Sequence, residues 1–244
     1  TGWDTPQIWM GHAGLTTPTE HFSAERFARG GIGTAGVIAQ PFEAWIDDWS
    51  MAGPTLSDVT LTASGAEFAY ALTARATGPF VPQGEDGFSV KSPEGQASYY
   101  YSQPFYEVSG TLTVPSGEVT VEGTAWLDRE WSSQPLSEDQ TGWDWFALNL
   151  PGGDKLMAYG LRHQSRPDYV VGTYIDADGT PNPLPAGEIA LTPLATTEVG
   201  GGEVPTTWRL RLPARDIDIE VAAVNPGAWM DTSISYWEGP VTFE

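Results

Sequence analysis

Short runs of alternating apolar and polar residues, separated by Gly- and Pro-rich segments, extend along most of the chain. A period of two places the apolar side chains on one face of a β-strand. Three pairs of such runs flank turn sequences, at residues 64–65, 115–117 and 151–154, and each pair predicts a β-hairpin. The pattern therefore predicts about a dozen short antiparallel strands, which is typical of β-sandwiches and barrels.

Other segments depart from this alternation. Residues 20–30 (EHFSAERFARG) form the most helix-like part of the chain. Residues 79–96 and 183–205 are rich in Gly and Pro and are predicted to be loops. Residues 31–36 match the G-x-G-x-x-G spacing, but no convincing helix follows and no βαβ pattern surrounds them, so a dinucleotide site is not indicated.

The length and composition describe a globular protein. The chain has 244 residues, of which 40% are hydrophobic and 12% aromatic. This is enough for one large domain or two small ones, each with its own core. The two halves have a similar strand-rich texture, and we place the predicted boundary near residues 106–110, giving domains 1–107 and 108–244.

The negative net charge of the chain argues against some classes of binding partner. The formal net charge is −21, and Lys91 and Lys155 are the two lysines of the sequence. Such a chain repels nucleic acid and anionic lipid surfaces, and no apolar run reaches membrane-spanning length. We expect a periplasmic or secreted protein, from which any leader has been removed because Thr1 is not a natural first residue.

Metal and cofactor chemistry has no local signal. The sequence contains no cysteine, and His12, His21 and His163 lack the spacing of metal ligands. A G-x-S-x-G nucleophile motif is also absent. We therefore predict a site without metal or cofactor, in which acidic and aromatic side chains carry any chemistry.

The segment GTAWLDREWSS, residues 123–133, combines aromatic and charged residues within one predicted strand. Its two faces hold Trp126, Asp128 and Glu130 on one side, and Leu127, Arg129 and Trp131 on the other. Charged groups on a buried face must be paired or neutralised. One interpretation is a structural network of arginines and carboxylates. The other is a carboxylic acid among aromatic rings, where burial and a like-charged neighbour raise its pKa.

Aromatic residues are over-represented in the second half of the chain. The candidates for ligand contact are Tyr99, Tyr100, Tyr101, Trp126, Trp131, Trp143, Trp145, Tyr236 and Trp237. Rings at this density pack sheets together in many proteins. They can also line a cavity for a long apolar ligand and stabilise a carbocation. Both interpretations stay open at this point.

Seven segments resemble, in chain order, the AttH-like family related to carotenoid 1,2-hydratase (hydroxyneurosporene synthase): ERFARG, PFEAWIDDWS, ASYYYS, GTAWLDREWSS, GWDWFALNL, KLMAYGLR and SYWEGPV. This resemblance implies an all-β fold of two lipocalin-like (calycin) antiparallel β-barrel domains packed together. Many family members are described as predicted secreted hydrolases, and some relatives of the fold are hydratases or pericyclases.

The resemblance also implies a site. In the carotenoid hydratase branch, an aspartate in an aromatic-x-Asp motif protonates a terminal alkene, and residues 126–128 match this motif with Trp where that branch has Tyr. An upstream aromatic of the same site falls at residues 99–101. The sequence after the aspartate differs from that branch, and Arg129 beside Asp128 could hold the carboxyl group in its ionised state.

These observations predict a hydratase that uses no cofactor and acts on an apolar isoprenoid or polyene-like small molecule. Asp128 would be the general acid and could share a proton with Glu130, while Trp126 and Tyr100 would offer ring faces to the cation. Two alternatives have the same cavity: a lipocalin-like carrier of an apolar ligand without catalysis, and a pericyclase that folds a polyene into shape.

Overall fold

The computed structural model describes residue 5, residues 7–134 and residues 136–244. These residues form β-strands, with 3-10 turns at Pro151–Gly153 and Pro213–Arg215 and no α-helix among them. The predicted all-β class is confirmed. The strands are β1 (Ile8–Thr16), β2 (His21–Arg29), β3 (Ala35–Ile38), β4 (Phe42–Ile46), β5 (Trp49–Thr55), β6 (Asp58–Ser64), β7 (Ala69–Ala76), β8 (Val81–Pro82), β9 (Phe88–Val90), β10 (Ala97–Val114), β11 (Gly117–Trp131), β12 (Gln140–Asn149), β13 (Lys155–His163), β14 (Tyr169–Ile175), β15 (Pro181–Leu184), β16 (Ala190–Val199), β17 (Gly202–Leu212), β18 (Ile217–Ala223), β19 (Trp229–Met230), β20 (Tyr236–Trp237) and β21 (Val241–Phe243).

Antiparallel pairing organises these strands into five sheets. The largest sheet has nine strands. Seven of them lie in the order β11-β10-β7-β6-β5-β4-β3, and β8 and β9 pair with the part of β10 that β7 does not reach, on the side opposite to β11. Two four-stranded sheets follow, β12-β13-β14-β15 and β16-β17-β18-β21, and β1-β2 and β19-β20 form two-stranded sheets. In the part of the chain that the structure describes, these sheets are not closed into a barrel.

The three predicted hairpins are present. They are β6–β7, β10–β11 and β12–β13, and each turn lies at the predicted residues. Gly117 has a φ of +126°, a backbone conformation that side-chain-bearing residues rarely adopt, and it begins β11 directly after the second turn. Turn composition and period-two alternation were therefore sufficient to locate these hairpins.

Residues 20–30, the most helix-like part of the sequence and short enough to be a turn, form neither, because residues 21–29 form strand β2. This strand pairs along its whole length with β1. Phe22, Ala24 and Ala28 are spaced by multiples of two, and they turn apolar groups toward the interior from one face of the strand. Pairing with β1 and burial of this face outweigh a local composition that favours a helix.

The two predicted loops also contain strands. Within residues 79–96, β8 and β9 add to β10. Within residues 183–205, β16 and the start of β17 form a hairpin. Pro193 lies on β16, which is an edge strand, and the register of the pair shifts between Pro193 and Thr196. A proline on an edge strand at an irregular pairing removes no essential ladder bond, so the Pro-rich composition is compatible with a strand.

Strand β10 is the longest strand and connects most of the molecule. It pairs with β11 on one side and with β9, β8 and β7 in turn on the other. A register shift between Gln103 and Tyr106 divides it into two parts. The predicted domain boundary between residues 107 and 108 lies inside this strand, and the division into domains stays a prediction.

The largest hydrophobic cluster lies between the two four-stranded sheets. Leu156, Leu210 and Val221 are completely buried in it. The rings of Phe146 and Trp208 meet edge to face, with centroids 5.4 Å apart. This cluster stabilises the second half of the chain by removing large aliphatic and aromatic side chains from water.

A smaller cluster joins the nine-stranded sheet to the sheet of β12–β15. It brings Tyr100 of β10 and Trp126 of β11 against Met157, Tyr159 and Leu161 of β13. Tyr100, Met157, Tyr159 and Leu161 are at most 5% exposed. The strand segment that the sequence singled out is therefore positioned at the junction between the two halves of the chain.

No helix in the described residues combines the length and apolarity needed to cross a bilayer.

We expect Leu210→Ala to lower the free energy of unfolding by about 2–5 kcal/mol, because it leaves a cavity in the largest cluster. The matched control is Leu194→Ala, at a β16 position that is 48% exposed, where the change should be within about 0.5 kcal/mol. Chemical denaturation followed by tryptophan fluorescence measures both. Equal effects of the two substitutions would contradict the assigned core.

Candidate active site

A cavity of about 300 Å³ opens between the β10–β11 hairpin and the β12–β13 hairpin. Its walls include the apolar side chains of Leu136, Trp143, Trp145 and Leu161, and the charged groups of Lys91 and Glu130. Trp143 is 59% exposed, so a wide aromatic surface stands at the opening. A mainly apolar cavity with a few polar groups on one wall is the usual form of a small-molecule site.

The charged wall of the cavity is an ion pair between aromatic rings. The Nζ atom of Lys91 lies 2.6 Å from Oε1 of Glu130, and the Ser98 hydroxyl donates to the same oxygen at 2.5 Å. The ammonium group also lies 4.1 Å from the ring centroid of Tyr159 and 5.0 Å from that of Tyr100. Burial lowers the pKa of Lys91, and the hydrogen bond and charge of Glu130 oppose that shift.

Asp128 occupies a different environment, two residues before Glu130 on β11. Its Oδ1 atom accepts hydrogen bonds from the Ser102 hydroxyl at 2.5 Å, the Tyr100 hydroxyl at 2.8 Å and the Trp126 indole N–H at 3.0 Å. Asp128 lies at a solvent-exposed position of β11. Partial desolvation raises the pKa of its carboxyl group, the three hydrogen bonds lower it, and the nearby Glu130 carboxylate raises it; the net shift is upward.

No described arginine forms an ion pair with Asp128. Arg129 follows it in sequence, but strand alternation directs the two side chains to opposite faces of β11. The arginine–carboxylate interpretation applies instead to Asp144 of β12, whose Oδ2 lies 3.4 Å from Nε of Arg162. The hydrogen bonds to Asp128 thus come from uncharged donors, while the charges of Glu130 and Lys91 act on it without a direct contact.

A short chain of hydrogen bonds connects Asp128 with the cavity. The indole N–H of Trp145, which lines the cavity, donates to the Tyr100 hydroxyl at 3.2 Å, and that hydroxyl donates to Asp128. Glu130 lies on the cavity wall, and Asp128 lies one pleat further along the same strand face, at a Cα separation of about 7 Å. On the far side, the buried Gln83 amide donates to the Ser102 hydroxyl at 2.7 Å and fixes that donor.

Four of the predicted aromatic residues surround this site. Tyr100 and Trp126 contact Asp128 directly, Trp145 contacts Tyr100, and Trp143 lines the opening. With Asp128 and Glu130, they form one contiguous group of side chains. Their roles in binding and catalysis stay predictions.

The other predicted aromatic residues lie elsewhere. Tyr99 and Trp131 are directly paired across β10 and β11, stack at 5.9 Å and are more than half exposed. Tyr101 contacts the same Trp131 ring edge to face at 6.0 Å. These three residues share the face opposite to Tyr100, as strand alternation requires. They form an aromatic group outside the cavity.

Tyr236 and Trp237 lie on β20, away from the cavity. The Tyr236 hydroxyl is 2.9 Å from Nδ1 of His12, and the opposite ring nitrogen of His12 is 3.0 Å from a Glu25 oxygen. The indole N–H of Trp237 donates to the Pro226 carbonyl at 3.0 Å. These contacts attach the C-terminal segment to the β1–β2 hairpin and give both rings a structural position.

Sequence reasoning missed three residues that build the site. Lys91 lies in the predicted loop, Ser102 is a small polar residue in an aromatic run, and Tyr159 is one ring among many. Lys91 carried a usable signal, because it is one of two lysines in a strongly acidic chain. Ser102 and Tyr159 carried none, since their contacts depend on how the two hairpins pack.

Among the described residues, no group of three or more histidine and acidic side chains is placed to bind a metal ion. The histidines take part in separate contacts: His12 with Tyr236, His21 with the Thr16 hydroxyl, and His163 with Arg166. Of the reactive groups, the Glu130 carboxyl and the Lys91 amine line the cavity, and the Asp128 carboxyl lies outside its lining, linked to it through Tyr100 and Trp145.

The chain belongs to the AttH-like family, whose family model matches residues 1–244. This finding confirms the resemblance drawn from the seven sequence segments. No curated protein matches the chain significantly.

Two solved structures are similar to this one. An AttH protein from Nitrosomonas europaea is 28% identical, with a TM-score of 0.89 over 97% of this chain and 77% of that protein. A kievitone hydratase from Nectria haematococca is 19% identical, with a TM-score of 0.76 over 98% of this chain and 75% of the hydratase. At that identity, the second likeness establishes a shared fold.

The geometry predicts the titration of Asp128. We expect its pKa in the folded protein to exceed the ordinary value of 3.8, and we expect Ser102→Ala to raise it further, because the Ser102 hydroxyl stabilises the carboxylate. Carboxyl ¹³C chemical shifts followed against pH in aspartate-labelled protein measure both values. The control is Ser109→Ala, at an exposed position of the same strand. A value at or below 3.8 for Asp128 would contradict the described environment.

Proposed function

We propose that this protein is a hydratase-type enzyme that adds water to an alkene of an apolar, isoprenoid or polyene-like substrate, with Asp128 as the general acid. The observation that carries the proposal is the geometry around Asp128: its Oδ1 atom accepts three hydrogen bonds from uncharged donors, and the Tyr100 hydroxyl and the Trp145 indole link it to a mainly apolar cavity. The AttH-like family and the structural similarity to kievitone hydratase support the reaction class.

The first chemical requirement is a proton donor strong enough to protonate carbon. Hydration of an unactivated alkene begins with transfer of a proton to one alkene carbon, which leaves a cation on the other. All three hydrogen bonds that the described residues donate to Asp128 converge on Oδ1. The proton of the neutral acid would then reside on Oδ2, and the same donors would stabilise the carboxylate that forms after transfer.

The second requirement is stabilisation of the cation. The indole of Trp126 and the phenol of Tyr100 contact the carboxyl group through their N–H and O–H groups, and the indole of Trp145 contacts Tyr100 from the cavity. Aromatic faces attract cations by about 0.5–2 kcal/mol each, more where water is excluded. This aromatic group would favour a tertiary carbocation without a metal or cofactor.

The cavity limits what part of the substrate enters. A volume of about 300 Å³ is at the lower end of the range for small-molecule sites. It suits the reacting end of a long chain, while the remainder would lie along the exposed Trp143 surface. We further propose that the sheets correspond to two lipocalin-like barrel units, which is the architecture that the family resemblance implies.

Asp128→Asn tests the acid. We expect hydration to fall by about 10²-fold or more, because the amide cannot donate a proton of comparable acidity. The assay supplies isoprenoid alkenes of increasing length, such as geraniol, farnesol and squalene, and detects the gain of one water by mass spectrometry. The matched control is Glu122→Gln, an acid-to-amide change at an exposed position of the same strand. Undiminished hydration by folded Asp128→Asn protein would refute the assignment.

The pH dependence separates an enzyme from a carrier. Because the acid acts in its protonated form, conversion should fall as pH rises through the raised pKa of Asp128, while ligand binding, followed by tryptophan quenching, should not follow that titration. A carrier would bind ligand without converting it at any pH. A pericyclase would give a product of unchanged mass and would tolerate Asp128→Asn better than Trp145→Ala.

A further inference from the structure

The two carboxyl groups of the site have different partners. Asp128 is bound by three uncharged donors, whereas Glu130 contacts the ammonium group of Lys91 at 2.6 Å. Among the described residues, Lys91 is the lysine that reaches the cavity, and the rings of Tyr100 and Tyr159 hold its amine in place. The ion pair with Lys91 gives Glu130 a partner that Asp128 does not contact directly.

We propose that Glu130 is the general base of the hydration, and that it takes a proton from the water that captures the carbocation. This inference rests on the proposed function. Glu130 lines the cavity, and both of its described partners, Lys91 and Ser98, bind Oε1. Oε2 is the oxygen left to accept a hydrogen bond from water. The contact with the ammonium group fixes the carboxyl group at the cavity wall with Oε1 turned toward Lys91.

The proton balance assigns one role to each acid. The proton on Asp128 goes to one alkene carbon, and the π electrons form that C–H bond. The water oxygen then forms a C–O bond to the cationic carbon, and its surplus proton goes to Glu130. The product is a tertiary alcohol, no electron is gained or lost, and exchange with solvent returns Asp128 to its acid form and Glu130 to its carboxylate form.

The positions of Asp128 and Glu130 on one strand suit the roles of acid and base. Asp128 and Glu130 are two residues apart on the same face of β11, with Cα atoms separated by about 7 Å. An alkene lying along the strand would have its proton source at one end and an activated water at the other. Two carboxyl groups in different surroundings, flanking one reacting group, are the arrangement expected of an acid and a base.

Lys91 is assigned as a positioning residue. It touches Glu130, and it holds that side chain against the cavity wall through the ion pair and the two aromatic rings. Its replacement by methionine would retain the length of the side chain and remove the charge. Any loss of hydration activity in this variant would then result from a change in the charge environment and position of the Glu130 carboxyl group.

The test separates alkene protonation from water capture. In D₂O, a cation that is formed but not captured loses a proton and returns an alkene that carries deuterium. For Glu130→Gln we expect hydration to fall by about 10²-fold, while deuterium incorporation into recovered alkene stays within about fivefold of the wild-type rate. Asp128→Asn should lose both activities, and Glu122→Gln should lose neither.

Lys91→Met should resemble Glu130→Gln in retaining deuterium incorporation while losing hydration, and Lys155→Met is its control. Lys155 is the other buried lysine, hydrogen-bonded to Asn149 rather than to a carboxyl group. Ser98→Ala, which removes one hydrogen bond to Glu130, is a milder variant in case Lys91→Met does not fold. Thermal unfolding establishes that each variant is folded.

Two results would overturn the inference while leaving the proposed function intact. One is hydration by Glu130→Gln at the wild-type rate. The other is a parallel loss of hydration and deuterium incorporation in folded Glu130→Gln, which would show that Glu130 acts before the cation forms. Absence of alkene hydration in the wild-type protein would instead contradict the proposed function itself.

Discussion

The packing of Tyr100 between two hairpins is the constraint on which the site depends. Its ring belongs to the cluster that joins β10–β11 to β13 and also faces the ammonium group of Lys91. Its hydroxyl accepts from Trp145 and donates to Asp128. A single side chain thereby fixes the distance between the acid and the cavity wall, and the residue is only 3% exposed. Burial of the phenol also raises its own pKa, so it remains a hydrogen-bond donor rather than an anion.

At the junction between the β10–β11 and β12–β13 hairpins, the charged groups have different kinds of neighbour. Lys91 is removed from water but gains a carboxylate and two ring faces. Asp128 loses part of its hydration and gains donors without a formal charge. The two carboxyl groups, on one strand face, therefore have different partners: an ammonium group for Glu130 and uncharged donors for Asp128. The chemical difference thus arises from neighbouring strands, since β11 itself supplies both acids.

Much of the fold was predictable because it follows from local rules. Alternation and turn composition predicted the three hairpins, and alternation placed Asp128 and Glu130 on one strand face. The same rule, applied to residues 99–101, separates the buried Tyr100 from the exposed Tyr99 and the half-buried Tyr101 on the opposite face. Strand β2 was missed because its state depends on pairing with β1. The contact between Lys91 and Glu130 was missed because it joins residues far apart in sequence across β9 and β11.

Lys91 and Lys155 are both largely buried, one in the ion pair and the other against the Phe105 ring. The positive charge on the outside of the molecule therefore comes from arginine, which remains charged well above pH 10, while the carboxylates complete their titration in acid. Between about pH 7 and pH 10, the outer surface has almost nothing left to titrate. The electrostatic repulsion between copies of this acidic protein therefore depends on salt concentration rather than on pH over that interval. Its tendency to aggregate should follow the same dependence.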